Sequence, residues 1–430
     1  MTHFSLLLAA ALCAAGLTAA PVAAQDEGAN LRDASLALRA QVRAAAGIED
    51  WESARRANAA ALALQPGHPG LLNNQLVLAR LSGDQTAMLG ALEAMADHGL
   101  TFDLSGLAEL DALLELDADR VAAIESRLAV NAAPAGEARL VAEPPLRDAL
   151  IEALAVDGET ERLYLGSVAD RRIYRVEPFE PETAEVFAGE AQPVGSIFGL
   201  AIDRRNGLLY AAEGAVDITP REAGEEIGTA LLALDLETGE IVRRHTIDGA
   251  VRIGDVTVRD GVVYASDAEG GRIYRLNGPR ETLELYAEDD RFVSLQGLAP
   301  ARGALFVADY TWGVWRIDPI TRNAALLAPP QGASLIGLDG LTADRTGRLF
   351  VVRNGAAPVG LFELEFDRFG AELTALTPVL RADSRLGEPT TVRIADGRAF
   401  VLNDAQWALF EPDADFGART DPQILSLPLP

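Results

Sequence analysis

A phrase of two apolar strands around a tight polar turn recurs six times between Glu152 and Asp404. The copies read EALAVDGETERLYL from Glu152, FGLAIDRRNGLLYA from Phe198, GDVTVRDGVVYA from Gly254, QGLAPARGALFVAD from Gln296, DGLTADRTGRLFVV from Asp339 and TTVRIADGRAFVLND from Thr390. Alternating apolar residues on both sides of a turn rich in Gly, Asp and Arg are the mark of an antiparallel hairpin. Aligning Leu154, Leu200, Val256, Leu298, Leu341 and Val392 gives spacings of 46, 56, 42, 43 and 51 residues. A unit of that length holds about four strands and has two apolar faces that it cannot bury alone, which is the condition for a β-propeller blade. Six copies predict six blades. Propellers close by pairing the two ends of the chain within one blade, and ARLVAE around Arg139 and QILSLPL around Ile424 are the candidate closing strands.

The N-terminal part follows another rhythm. From about Asn30 to Leu128 the apolar residues recur at helical spacing. EDWESARRANAAALALQPGHP resembles a tetratricopeptide helix pair, with Trp51 and Ala54, small Ala60 and Ala61, and Pro66 closing. A looser copy begins SGDQTAMLGALEAMADHGL, where Ala87 lies 33 residues after Ala54, and a third covers LAELDALLELDADRVAAIESRL. Small residues at helix crossings let such pairs stack into a concave surface. That surface suits docking of a protein partner, and a helical cap or spacer on the propeller is the equal alternative. Ahead of it, an apolar stretch from Phe4 to about Ala20 and then Val22-Ala23-Ala24 fit a secretory signal cleaved after Ala24. The expected organisation is a signal over 1–24, a tetratricopeptide-like helical domain over 25–130, a Pro/Ala-rich linker over 131–140 and a six-bladed propeller over 141–430. The fold class is mainly β.

Composition narrows the functions. Sixty-four acidic against 37 basic residues leave a net charge of −27, which repels phosphate backbones and argues against nucleic-acid binding. The one cysteine, Cys13, falls inside the signal, so the mature chain is expected to hold no disulfide, thiol nucleophile or cysteine metal site. No later stretch is long and apolar enough to span a membrane. A periplasmic or secreted protein, not inserted in a membrane once the signal is removed, is the expectation.

The first strand of a blade lines the central channel, and the residue that begins it faces the channel mouth. Across the six copies that residue is Glu152, Phe198, Gly254, Gln296, Asp339 and Thr390. Two carboxylates and an amide from three blades would form an oxygen-lined cluster suited to Ca²⁺, Mg²⁺ or Mn²⁺, with Zn²⁺ possible. Taken alone, Asp339-Gly340 also fits an ordinary turn and Glu152 an ion pair with a nearby arginine.

From Leu140 onward the blades resemble the gluconolactonase/senescence-marker-protein (regucalcin) family of six-bladed propellers. The resemblance implies one divalent metal at the channel mouth, held by a Glu of blade one, an Asn of an Asn-Gly-Leu motif in blade four and an Asp of an Asp-Gly motif in blade five. The matching positions are Glu152 in EALAVD, Gln296 in QGLAP and Asp339 in DGLTAD. DGLTADRTGRLFVV follows the family phrase almost throughout, whereas the residues flanking Glu152 depart from it. Gln296 stands where the family has Asn, and its carbonyl can ligate from one methylene further out. In blade three the family's Asn is replaced by Gly254, followed by Asp255, and Arg252 matches a substrate-binding arginine or else makes an edge-strand ion pair. The implied activity is metal-dependent hydrolysis of a small-molecule lactone or related ester, with Asp339 both ligating and drawing a proton from water.

His245, in IVRRHTID, is the one histidine of the propeller and is expected to be exposed on an outer strand, so Ser-His and Cys-His mechanisms are excluded. Tyr310 and Trp312 sit in a blade-four loop where they stack on a ring or pack between blades. Arg353-Asn354-Gly355, Glu388-Pro389 and Asp404-Ala405-Gln406-Trp407 are polar clusters of blades five and six, in which Asn354 is either a substrate contact or part of an Asn-Gly turn. The competing class is a non-catalytic propeller that binds a ligand or a protein, with the helical domain as its docking surface.

Overall fold

Each of six hairpins gains two further strands and becomes a four-stranded antiparallel sheet, and the six sheets form a six-bladed propeller in this computed structural model, which describes residues 31–429. The signal segment with Cys13 lies outside the described residues. The inner strands are Ile151–Val156, Ser196–Asp203, Ile253–Arg259, Leu295–Ala301, Leu338–Ala343 and Thr391–Ala395, for blades one to six. Blade six takes three strands from the C-terminal end of the chain and its outermost strand, Arg139–Ala142, from the start of the propeller. That strand pairs with Gln423–Pro428, Leu140 opposite Leu425, so the two expected closing segments are the ones that meet.

The core lies between blades, as the two apolar faces of each sheet require. Tyr210, Leu231 and Ala233 of blade two pack on Val256, Val263 and Tyr274 of blade three, and Phe306 and Val314 of blade four pack on Leu341, Val351 and Phe362 of blade five. Each fully buried Leu, Val or Phe in these layers contributes roughly 1.5–3 kcal/mol.

Two local devices aim the channel mouth. The first is a bulge. The ladder between inner and second strand jumps from Ile151 to Ala153, from Ile197 to Gly199, from Ile253 to Asp255, from Leu295 to Leu298 and from Leu338 to Leu341. Glu152, Phe198, Gly254, Gln296 and Asp339 are skipped, the last two together with the glycine that follows each, and a bulge is what releases a side chain from the pleat and re-aims it. In blade six Thr390 occupies the same place, one residue ahead of its strand. Neighbouring inner strands come so close here that a Cβ on Gly297 would lie 2.0 Å from the Leu341 nitrogen, and one on Gly340 would lie 2.5 Å from the Thr390 carbonyl. This is why Gln296 and Asp339 are each followed by glycine.

The second device is a buried polar residue at the end of each second strand: Ser167, Glu213, Asp267, Asp309, Arg353 and Asn403, none more than 2% exposed. Each bonds the loop that leads into its own blade's inner strand. Glu213 accepts from Gly195 N at 2.6 Å, Asp267 from Arg252 N at 2.9 Å, Asp309 from Val293 N at 3.0 Å and Asn403 from Gly387 N at 3.0 Å. Ser167 donates to the Ala149 carbonyl and Arg353 to that of Ser334. Buried polar groups need partners, and here the partners are the mouth loops themselves.

The helical region has helices α1 (Leu31–Gly47), α2 (Trp51–Leu64), α3 (Pro69–Leu81), α4 (Gln85–Asp97) and α5 (Leu110–Ala132). The segment read as a helix pair around Trp51 is the single helix α2, capped by Asp50, with Ala54, Ala57 and Ala61 buried along one side. The looser copy is likewise one helix, α4, and the third is α5, whose helical geometry breaks at Asp117. These helices rest on the loops of blades four and five. Gln65 Nε2 donates to the Thr311 carbonyl at 2.8 Å and Thr101 N to the Ala357 carbonyl at 3.2 Å. His245 is not exposed as expected. It ends the outermost strand of blade two opposite the fully buried Leu231, is itself 4% exposed, and burial holds its imidazole below the usual pKa.

Candidate functional site at the channel mouth

The bulge residues surround one cavity of about 370 Å³ at the mouth of the channel. Glu152, Gln296 and Asp339 all line it, as do Arg252, Asp255 and Asn354, so the six candidate metal and substrate residues reach the same space, whereas Trp312, Arg353, Asp404 and Gln406 do not line it. Glu388, Thr390, Thr391, Ser294, Tyr310 and Trp407 add to the polar part of the wall.

Asp339 is held by Asn354, the residue just past the end of its blade's second strand. Asn354 Nδ2 donates to Asp339 Oδ2 at 2.7 Å and to the Pro389 carbonyl at 2.9 Å. Both partners are acceptors, so the amide orientation is fixed, and Asn354 Oδ1 is left buried with no hydrogen-bond partner among the described residues. Gln296 Nε2 bonds the Ser294 hydroxyl at 3.1 Å. Glu152 Oε2 accepts from the Trp407 indole N–H at 2.8 Å, and the backbone N–H of Trp407 is in turn accepted by Glu388 Oε2 at 3.0 Å.

Arg252 and Asp255 occupy the blade-three side. Arg252 Nε meets Glu269 Oε1 at 3.0 Å and its guanidinium lies over the Phe198 ring, 5.0 Å from the centroid. It therefore makes an ion pair and also forms part of the cavity wall. Asp255 Oδ1 is engaged by Arg393 at 2.9 Å, a residue that crosses the channel from the inner strand of blade six.

Crowding of carboxylates below the surface sets the electrostatics. Burial, then the charge of Asp339, pushes the Glu152 carboxyl well above its ordinary range, against the opposing pull of the Trp407 bond. Burial pushes Asp339 up to about 7, opposed by the Asn354 bond and assisted by Asp255 and Glu388. Glu388 is raised by burial as well. The Tyr310 phenol is pushed up to about 12 by burial and then by Asp339 and Glu388, so it stays a proton-bearing donor at working pH.

These residues fit a hard divalent cation through oxygen alone. The cavity wall offers only oxygen donors for such an ion, the carboxylates of Glu152 and Asp339 and the amides of Gln296 and Asn354, and no group of three or more His, Cys, Asp or Glu placed to share an ion occurs among the described residues. The orphaned Asn354 Oδ1 is an acceptor that lacks an electropositive partner, and a cation would also relieve the repulsion between the two carboxylates. Sequence reasoning passed over Glu388 and Trp407 as site residues. They come from loops of blade six outside the repeated phrase, and the one hint was the polar cluster they belong to.

Fold and cavity together define a six-bladed propeller with an oxygen-lined channel mouth. No protein-family model matches the chain, and no curated protein matches it. Solved structures do resemble it. A propeller provisionally described as a gluconolactonase is 16% identical over 68% of this chain and 91% of its own, with a TM-score of 0.45. Virginiamycin B lyase from Staphylococcus aureus is 13% identical over 67% of this chain and 99% of its own, also at 0.45. The PQQ-bound aldose sugar dehydrogenase from Streptomyces coelicolor is 17% identical over 69% of this chain and 99% of its own, again at 0.45. These are likenesses of fold.

Proposed function

We propose that this chain is a divalent-metal-dependent hydrolase of small lactones or related esters, working at the channel mouth. The observation that carries the reading is the convergence of Glu152, Gln296 and Asp339, from blades one, four and five, on one cavity. Glu152 and Asp339 would hold the cation with the amide oxygens of Gln296 and Asn354, and bound there it would supply Lewis acidity toward a carbonyl. Asn354 occupies Asp339 Oδ2 and leaves the other carboxylate oxygen to take a proton from the attacking water. Trp407 orients Glu152 through its indole N–H. Tyr310, protonated throughout the working range, donates a hydrogen bond to the departing oxygen. Among the described residues no His or Cys lines the cavity, which speaks against a nucleophilic Ser-His or Cys-His relay there.

One observation favours the second reading, a non-catalytic binding propeller: no group of three or more His, Cys, Asp or Glu among the described residues is placed to share an ion, and Gln296 is the longer amide. The helices seated on the blade-four and blade-five loops would then present a protein-docking surface beside the mouth. Export to the periplasm or medium belongs to both readings, and N-terminal sequencing should find Gln25 first. The deciding assay is hydrolysis of a lactone panel by the purified chain, before and after chelation and after restoring Ca²⁺ or Mn²⁺. Metal-dependent turnover lost in Asp339→Ala supports the hydrolase. No turnover with any added metal rejects it.

A further inference from the structure

The cavity wall carries two unlike sets of residues. One is acidic, Glu152, Asp339 and Glu388, with Thr390 in the same wall, and Trp407 is bonded to both Glu152 and Glu388. Thr390 is 2% exposed and its hydroxyl has no hydrogen-bond partner among the described residues, so a polar group is missing beside it. The other is apolar. Phe198, 6% exposed, packs with Leu150, Val168 and Ala405 in a cluster that Val216 and Trp407 join from the long loops of blades two and six, and Phe198, Val216 and Trp407 all line the cavity. Tyr310 adds a third ring, from blade four.

Charge decides what such a space accepts. The one cationic side chain lining it among the described residues, Arg252, is already paired with Glu269 and stacked on Phe198. Asp255 is neutralised by Arg393, which leaves Glu152, Asp339 and Glu388. Three carboxylates outweigh one divalent cation, so the mouth stays negative or neutral even when a cation is held there.

We infer that the mouth takes a ligand with a flat apolar ring, neutral or cationic, lying against Phe198, Val216 and Trp407 with its polar end toward Thr390 and the carboxylates, and that it rejects ligands bearing a carboxylate or phosphate. A ring stacked between aromatic side chains gains both area burial and edge or face contacts, and a cationic ring gains further from the π faces. The bond to be cleaved, an ester or lactone at the polar end, rests on the hydrolase reading. The ring and the charge preference do not.

The test is binding, measured by calorimetry on the full chain in Ca²⁺, with three hydrolysis-resistant amides that share one ring: acetanilide, its 4-trimethylammonium derivative and 4-acetamidobenzoate. The neutral and cationic amides are expected to bind at least tenfold tighter than the anionic one. Phe198→Ala should weaken the first two about tenfold, and Phe198→Tyr should restore them. Equal affinities across the charge series, including no measurable binding of any member, overturn the inference, and that comparison needs no variant to fold. Phe198→Ala without effect on a folded protein overturns it too. Hydrolysis of phenyl acetate, dihydrocoumarin and gluconolactone by the same preparation separates the two ideas. Ring selectivity without any hydrolysis removes the hydrolase reading alone, and turnover of gluconolactone with no ring binding removes this inference alone.

Discussion

Asp339 makes the sharpest energetic statement about the site, because its proton and a divalent cation compete for the same oxygens. Its carboxyl is pushed from 3.8 up to about 7, chiefly by burial. A shift of about three units corresponds to about 4 kcal/mol, taken as an upper estimate, by which the folded state disfavours the ionised form. The folded pKa lies above the unfolded one, so the folded state holds the proton more tightly. The contribution is fully present below pH 3.8, declines as pH rises, and is gone above about 7. Metal-free protein should therefore lose stability between pH 5 and 8. A cation that pairs with the ionised carboxylate reverses that loss by binding the folded state. Between pH 5 and 8 about two of those three units are lost, about 2.7 kcal/mol, which at about 2 °C per kcal/mol for a chain of this size is up to about 5 °C in melting temperature. Differential scanning calorimetry of chelated and Ca²⁺- or Mn²⁺-loaded protein at the two pH values measures it. The cation should raise the midpoint more at pH 8 than at pH 5. Asp339→Asn should flatten both the pH slope and the metal response, while Asp367→Ala, in an exposed turn of the same blade, keeps both. A metal response that survives in Asp339→Asn, or one larger at pH 5, refutes the reasoning.

Other perturbations probe the supports. Trp407→Phe keeps the ring but deletes the indole bond to Glu152. A bond to a charged group is worth about 1.5–3 kcal/mol, so cation affinity measured by calorimetry should fall roughly tenfold or more. Gly297→Ala forces a Cβ to 2.0 Å from the Leu341 nitrogen, and urea unfolding should show a loss of about 2–4 kcal/mol or failure to fold. Gln65 is 2% exposed and joins Ser35, Arg39 and Thr311. Gln65→Ala should cost about 2–3 kcal/mol in the same assay, because it strands buried partners where the helices meet the propeller.

The blades were legible because a propeller repeats its burial problem six times, and each repeat shows the same alternation and turn. Arg139–Ala142 and Gln423–Pro428 were legible as the closing pair by the same alternation at the two ends of the propeller. Glu152, Gln296 and Asp339 could be placed together because each opens its blade's phrase, which is where the bulge falls. The bulge itself carries no such mark: it is set by the close approach of neighbouring inner strands, which couples residues from different blades. For the same reason Arg393 could not be foreseen as the partner of Asp255, since the two meet only across the channel. Trp407 and Glu388 lie in blade-six loops with no counterpart in the other blades, and periodicity is silent about such segments. His245 fails differently: four neighbours on its strand, Ile241 to Arg244, are open to solvent to varying degrees, and only the last residue turns inward.

Anomalous diffraction from a crystal soaked in Mn²⁺ tests the central claim most directly, because it locates the ion without reference to turnover. The account predicts one strong peak in the channel-mouth cavity, within ligand distance of Glu152 and Asp339 and of an amide oxygen of Gln296 or Asn354. An empty mouth at saturating Mn²⁺, or a peak held elsewhere while Glu152 and Asp339 remain unliganded, contradicts it.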